Sequence, residues 1–194
     1  MTTKIILETL AVVALTAGQT HAAPLPLQHS TISAAYNGSA DGMLGLDQLF
    51  APVPGSNVTA IDPGGANGVE FLSADFLFGI DFAEDGVMTV FNNGPVAAGA
   101  YSMRFDFGAS LAAPLTRFTL IDSSAVGGIP VLNLIDGHTI SLDLSALDWG
   151  AGFTSFSARL DAAPSPVPEP ASVTLMLAGL ASIVFARRRA STAQ

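Results

Sequence analysis

Hydrophobic and polar positions alternate along the middle of the chain in short runs, which turn residues interrupt roughly every eight to twelve positions. The clearest case is residues 100–107, where Tyr101, Met103, Phe105 and Phe107 fall on one side and polar residues on the other. A period of two is typical of a β-strand with one buried face. The same reasoning predicts further strands at residues 31–36, 57–61, 68–72, 76–82, 87–91, 115–122, 131–134, 139–144 and 153–160.

Two neighbouring runs, residues 76–82 and 87–91, are separated by an acidic turn that ends in Gly86, and this arrangement predicts a β-hairpin. Residues 44–50 are ambiguous, because their pattern also suits a short helical turn. In the first run of the hairpin, alternation places four apolar side chains on one face: Phe76, Phe78, Ile80 and Phe82.

Many short strands without a long amphipathic helix among them indicate an all-β domain at residues 23–161. The spacing of strands and turns favours an antiparallel β-sandwich of jelly-roll-like topology. A Greek-key barrel would produce the same pattern and stays open as an alternative. The domain is long enough to bury a core of its own.

Residues 1–22 have the three parts of a signal peptide. Lys4 supplies the positive start, residues 9–17 form an apolar segment, and Thr20 and Ala22 are small residues at the positions that precede cleavage. We therefore expect an N-terminal signal helix that is removed after Ala22 or the next residue. An N-terminal helix of the domain core is the alternative.

The other end of the chain carries a second apolar segment, residues 171–186, which contains no charge. As a helix it would span about 24 Å, against a hydrocarbon core of about 30 Å, and flanking arginines can extend it to the interface. This predicts a single transmembrane helix within residues 171–194, with a cytoplasmic C-terminus. A buried helix of a soluble domain is the alternative. The basic residues that follow the helix are Arg187, Arg188 and Arg189.

A proline-rich linker, residues 162–170, joins the predicted domain to this helix and should form a semi-rigid spacer. The linker ends in Pro168, Glu169 and Pro170. The order of these three residues, a short apolar helix and an arginine cluster resembles the PEP-CTERM sorting signal of Gram-negative bacteria that make exopolysaccharides.

The resemblance implies a partner and a location. The partner would be an exosortase, a membrane enzyme that acts near Pro168, Glu169 and Pro170, with the arginine cluster as the tail anchor. It implies a precursor held in the inner membrane and a mature form at the cell surface or outside the cell. It also suggests an association with exopolysaccharide or biofilm matrix.

Charge and composition exclude several functions for the domain. Residues 23–166 contain fourteen acidic residues against three arginines, a net charge of −11, so we expect no nucleic-acid binding. The chain has no cysteine, which excludes disulfides, thiolate metal sites and a cysteine nucleophile. His138 is the one histidine in the predicted strand region, and no Gly-x-Ser-x-Gly motif accompanies it. We therefore expect no enzymatic activity.

Two sites of other kinds are candidates. Asp81, Glu84 and Asp85 form the densest acidic loop and are candidate oxygen ligands for a structural Ca²⁺. A solvated acidic turn is the alternative. Trp149 is the single tryptophan and lies beside Asp148 in a glycine-rich loop. An exposed Trp149 could stack on a sugar, whereas a buried one would close the core.

Two functions are consistent with these observations. The first is an exported, non-enzymatic cell-surface or extracellular-matrix protein without a cofactor. The alternative is a secreted carbohydrate-binding or carbohydrate-active domain carried on the same sorting signal. Exposure of Trp149 discriminates between them.

Overall fold

The computed structural model describes residues 26–61 and 68–164, which belong to one compact unit, Pro24–Ser165. These residues form β-strands and a few single 3-10 turns, so the predicted all-β, antiparallel class is confirmed. The strands are β1 Thr31–Tyr36, β2 Met43–Gly45, β3 Val58–Ala60, β4 Phe71–Ser73, β5 Phe78–Phe82, β6 Val87–Asn92, β7 Ser102–Asp106, β8 Leu115–Asp122, β9 Val131–Asp136, β10 Thr139–Asp143 and β11 Ser155–Ala162.

The strands build two antiparallel sheets. One has five strands in the order β3-β1-β7-β10-β9, and the other has six in the order β2-β4-β5-β6-β11-β8. Aromatic contacts join the sheets, because Phe105 of β7 lies 5.9 Å from Phe71 of β4 and 5.1 Å from Phe82 of β5, measured between ring centroids. The two sheets therefore share one core, as a sandwich requires. The jelly-roll-like connectivity stays a prediction.

The predicted alternation decides which side chains enter this core. Met103 and Phe105 of β7 are buried, while Ser102 and Arg104 between them are exposed. The strand β11 follows the same rule and buries alternate residues on its apolar side. Its buried side chains are Phe156, Ala158 and Leu160.

The hairpin of β5 and β6 is present, with Phe78 paired to Asn92 and Phe82 paired to Met88. Phe78, Ile80 and Phe82 are buried as predicted, but the inclusion of Phe76 is wrong. Phe76 precedes the strand in a left-handed conformation, with φ 59°, and its side chain is 54% exposed. A turn at this position breaks the alternation before the strand begins.

The ambiguous segment at residues 44–50 combines both predicted states. It contains the end of β2 and a 3-10 turn, Leu46–Gln48. The turn ends at Leu49, which has φ 53° and is 83% exposed.

Asn92 connects the end of β6 to the loop before β11. It is wholly buried, and its Nδ2 donates to the carbonyl oxygens of Gly94 at 2.8 Å and Gly152 at 2.7 Å. Its Oδ1 accepts hydrogen bonds from the backbone N–H and the hydroxyl of Thr154. One side chain thus fixes two loops at the same end of the domain.

The turn between β5 and β6 holds both ends of the described domain. The N–H of Leu27 donates to the carbonyl of Glu84 at 3.0 Å, and the N–H of Leu160 donates to the carbonyl of Gly86 at 2.8 Å. Gly86 adopts φ 91°, a conformation that favours glycine. A Cβ at this position would also lie 2.3 Å from the carbonyl oxygen of Leu160, so only glycine fits without a shift of the backbone.

Candidate functional sites

The predicted sorting elements and the signal peptide lie outside the described residues. Within residues 26–61 and 68–164, no helix combines the length and the apolar character that a membrane crossing requires. The predicted transmembrane helix at residues 171–186 belongs to the part of the chain that is not described. The same holds for Pro168, Glu169, Pro170, Arg187, Arg188 and Arg189.

Trp149 lies in the core. Its side chain is 2% exposed, and its ring lies 5.2 Å from the ring of Phe78 and 6.0 Å from that of Phe156. A sugar stacks only on a ring face that solvent can reach, so an exposed stacking platform at Trp149 is contradicted by its burial. The alternative interpretation, in which Trp149 closes the core of the sandwich, agrees with these contacts.

The acidic turn does not gather its carboxylates around a common point. Among the residues that the structure describes, no group of three or more histidine, aspartate or glutamate side chains could hold a metal ion. Asp85 instead accepts a hydrogen bond from the N–H of Val87 at 3.1 Å and lies 3.9 Å from the guanidinium of Arg159. Calcium binding at Asp81, Glu84 and Asp85 stays a prediction.

His138 lies in the turn between β9 and β10, as its sequence context predicts. Its Nδ1 is 3.3 Å from a carboxylate oxygen of Asp106 and 3.3 Å from one of Asp136, and all three side chains are substantially exposed. The N–H of His138 lowers the pKa of Asp136 by donating to its carboxylate. The hydroxyl of Thr139 lies 3.2 Å from the same Nδ1.

This cluster can orient a histidine, but hydrolysis also needs a nucleophile and an oxyanion site on the far side of the ring. Thr139 approaches the same Nδ1 atom as the two carboxylates, so Nδ1 cannot serve both as the oriented nitrogen and as the base. The cluster fits an exposed polar turn.

A polar network that the sequence did not indicate surrounds Asp75. The hydroxyl of Tyr36 donates to Asp75 at 2.9 Å, and the hydroxyl of Ser73 donates to the other carboxylate oxygen at 2.6 Å. Burial, followed by the hydrogen bond to Asp75, raises the pKa of Tyr36 above its ordinary value. Tyr36 and Asp75 are 39 positions apart, so no local pattern could reveal their contact.

A shallow groove of about 300 Å³ lies beside β2 and the loop that follows it. Asp41 is the single ionisable residue among those that line it, whereas hydrolysis of a glycoside requires two opposed carboxyl groups. The groove therefore lacks the acid pair for that reaction. Its other lining residues include Met43, Leu44, Pro52, Val53 and Ser56.

Comparison with known families identifies the tail. Residues 166–190 match the family described as a PEP-CTERM protein-sorting motif. This motif defines a class of exported proteins that an exosortase sorts from a membrane-anchored precursor. The chain is thus a PEP-CTERM domain-containing protein, as the resemblance at Pro168, Glu169 and Pro170 predicts. Neither a curated protein nor a solved structure matches the chain.

Proposed function

We propose that the protein is a non-enzymatic component of the cell surface or of the extracellular exopolysaccharide matrix. The match to the sorting motif carries the proposal, because it supplies export and sorting by an exosortase. The charge of the domain supports it, since a net −11 over residues 23–166 keeps a domain soluble in a hydrated matrix.

The chemistry of the described residues supports the same function. The groove beside β2 has one carboxylate, and the His138 cluster has no separate nucleophile. The alternative, a carbohydrate-binding domain, depended on an exposed aromatic ring at Trp149. Because Trp149 is buried, this support is absent. The proposed role requires no cofactor, so millimolar Ca²⁺ should leave the melting temperature unchanged, and a clear rise would contradict this part of the proposal.

Intact-mass analysis of protein from the native host tests the sorting steps. We expect loss of residues 1–22 or 1–23, and cleavage near Pro168-Glu169-Pro170 in a strain that has its exosortase. Glu169→Ala should accumulate the membrane precursor, whereas Ser165→Ala, a change in the same linker, should be processed normally. Equal processing of both variants would contradict recognition through this motif.

A second experiment tests the location and the absence of activity. Fractionation should recover the mature protein with the exopolysaccharide, and an exosortase-deficient strain should keep it in the membrane fraction. Incubation of the purified protein with that polymer should leave the polymer's size distribution unchanged. Shortening of the polymer would overturn the non-enzymatic assignment.

A further inference from the structure

The outer face of the six-stranded sheet carries an aromatic ring that the core does not use. Phe91 of β6 points away from the core, since its neighbours Val90 and Asn92 are buried while Phe91 is partly exposed. Its ring lies over Gly79, the residue opposite it on β5, because a Cβ at Gly79 would overlap with the Cζ and Cε2 atoms of Phe91. Glycine at this position therefore lets the ring lie low against the sheet.

A second aromatic ring lies beside Phe91. Phe153 comes two residues before Ser155, which pairs with Phe91, and the hydrogen bond from the N–H of Asn92 to the carbonyl oxygen of Thr154 continues this pairing. Alternation puts Phe153 on the same face as Phe91, with the two Cα atoms about 7–8 Å apart as diagonal neighbours. Phe153 is 78% exposed, and the side chain of Asn92 holds the backbone on both sides of it.

Polar side chains surround the two rings on this face. They supply hydroxyl, amide and carboxylate groups, which can exchange hydrogen bonds with the hydroxyls of a sugar while the rings pack against its apolar side. The strands β5, β6 and β11 are interior strands whose backbone groups are already paired, so the face cannot accept an added strand. The polar residues are Asp81, Thr89, Asn93, Ser155 and Ser157.

The charge of the domain restricts the ligand further. Residues 23–166 carry a net charge of −11, and Asp81 belongs to this face, so phosphate polymers and anionic lipid surfaces are repelled. An uncharged sugar residue meets no such repulsion, and it combines an apolar side with hydroxyl groups around its edge. The face therefore has the chemistry that an uncharged segment of a polysaccharide requires.

We propose that this face binds uncharged sugar residues of the exopolysaccharide, which stack on Phe91 and Phe153. The proposal rests on the matrix role proposed above and names the surface through which the protein would hold the polymer. It supplies the exposed aromatic surface that the buried Trp149 does not provide.

Affinity electrophoresis of the full-length protein in non-ionic detergent, through gels that contain the exopolysaccharide of the native host, measures this binding. Phe153→Leu keeps an apolar side chain but removes the ring, so it should weaken binding about fivefold. Phe153→Trp should retain binding, because an indole ring also stacks on sugars. Leu49→Ala is the control, since it removes an 83% exposed apolar side chain from the loop between β2 and β3 and should leave binding unchanged.

Phe91→Leu should weaken binding to a similar extent, and the fluorescence of the buried Trp149 reports whether this variant is folded. Binding of the unaltered protein should persist at high salt, because stacking is not an ionic contact. The proposal would be overturned if the unaltered protein were not retarded, if Phe153→Leu bound normally, if Phe153→Trp lost as much affinity as Phe153→Leu, or if salt abolished binding. Each of these results concerns the binding face alone, since fractionation tests the matrix location separately.

Discussion

Replacement of Asn92 by alanine should destabilise the domain far more than the replacement of a typical polar residue at the end of a strand. The side chain is wholly buried and makes four hydrogen bonds, two through Nδ2 to Gly94 and Gly152 and two through Oδ1 from Thr154. A neutral hydrogen bond contributes about 0.5–1.5 kcal/mol net. Part of the loss is recovered because water can reach the loop carbonyls, so we expect a loss of about 3 kcal/mol in the free energy of unfolding.

Urea unfolding followed by tryptophan fluorescence measures this loss directly, since Trp149 is the single tryptophan and is buried. For a domain of this size, about 3 kcal/mol corresponds to a fall in melting temperature on the order of 10 °C. Asn93→Ala is the matched control, because Asn93 is the exposed neighbour of Asn92 and should change stability by less than about 0.5 kcal/mol. If the two variants had the same midpoint, the assigned role of Asn92 would be wrong.

Three further changes have defined outcomes. Gly86→Ala should lower stability by more than about 2 kcal/mol in the same urea assay, because the new Cβ meets backbone as well as a positive φ. The pKa of Asp143 should lie below its usual value by NMR, and Ser145→Ala should raise it, because hydrogen bonds from Ser145 lower it. Since the folded pKa is depressed, this contribution to stability is lost as the pH falls through it. The folded pKa of Tyr36 is raised, so stability should fall as the pH rises above 10.0, the ordinary pKa of a tyrosine. Asp75→Asn should bring the ionisation of Tyr36, followed by phenolate absorbance, to lower pH.

Each change has its own control. Gly38→Ala introduces the same residue at φ 78° with nothing within 4 Å of the new Cβ, so it should cost less than Gly86→Ala, and the reverse order would contradict the packing argument. Asp136 should keep its depressed pKa in Ser145→Ala, because its own cause is the N–H of His138. An unchanged Tyr36 titration in Asp75→Asn would mean that burial alone raises the pKa.

Local alternation was sufficient to predict most of the strands. The bounds of β1 and β8 agree with the predicted residues 31–36 and 115–122. In β1 every second residue is buried, whereas β8 alternates imperfectly and buries Leu115 and Phe118. Phe76 was placed wrongly because the side chain of Asp75 accepts from the N–H of Leu77 and stabilises a turn there. A sequence pattern shows the apolar character of Phe76 but not this competing hydrogen bond.

The candidate sites also differ in how far a local sequence pattern can reveal them. The sorting motif is contiguous, so Pro168, Glu169 and Pro170 could be recognised without any fold. The burial of Trp149 depends on Phe78, which is distant in the sequence, and no local signal distinguishes a buried tryptophan from an exposed one. The contact between His138 and Asp106 likewise joins residues 32 positions apart.

The position of β11 bears on how the polypeptide crosses a membrane. It is the last strand to be synthesised, yet it lies between β6 and β8 and supplies both with their hydrogen-bonding partner. The six-stranded sheet therefore cannot close until the whole domain has been translated. An incomplete sheet leaves the nascent chain unfolded and able to thread through a translocation channel, and compaction begins only when the residues just ahead of the sorting signal arrive.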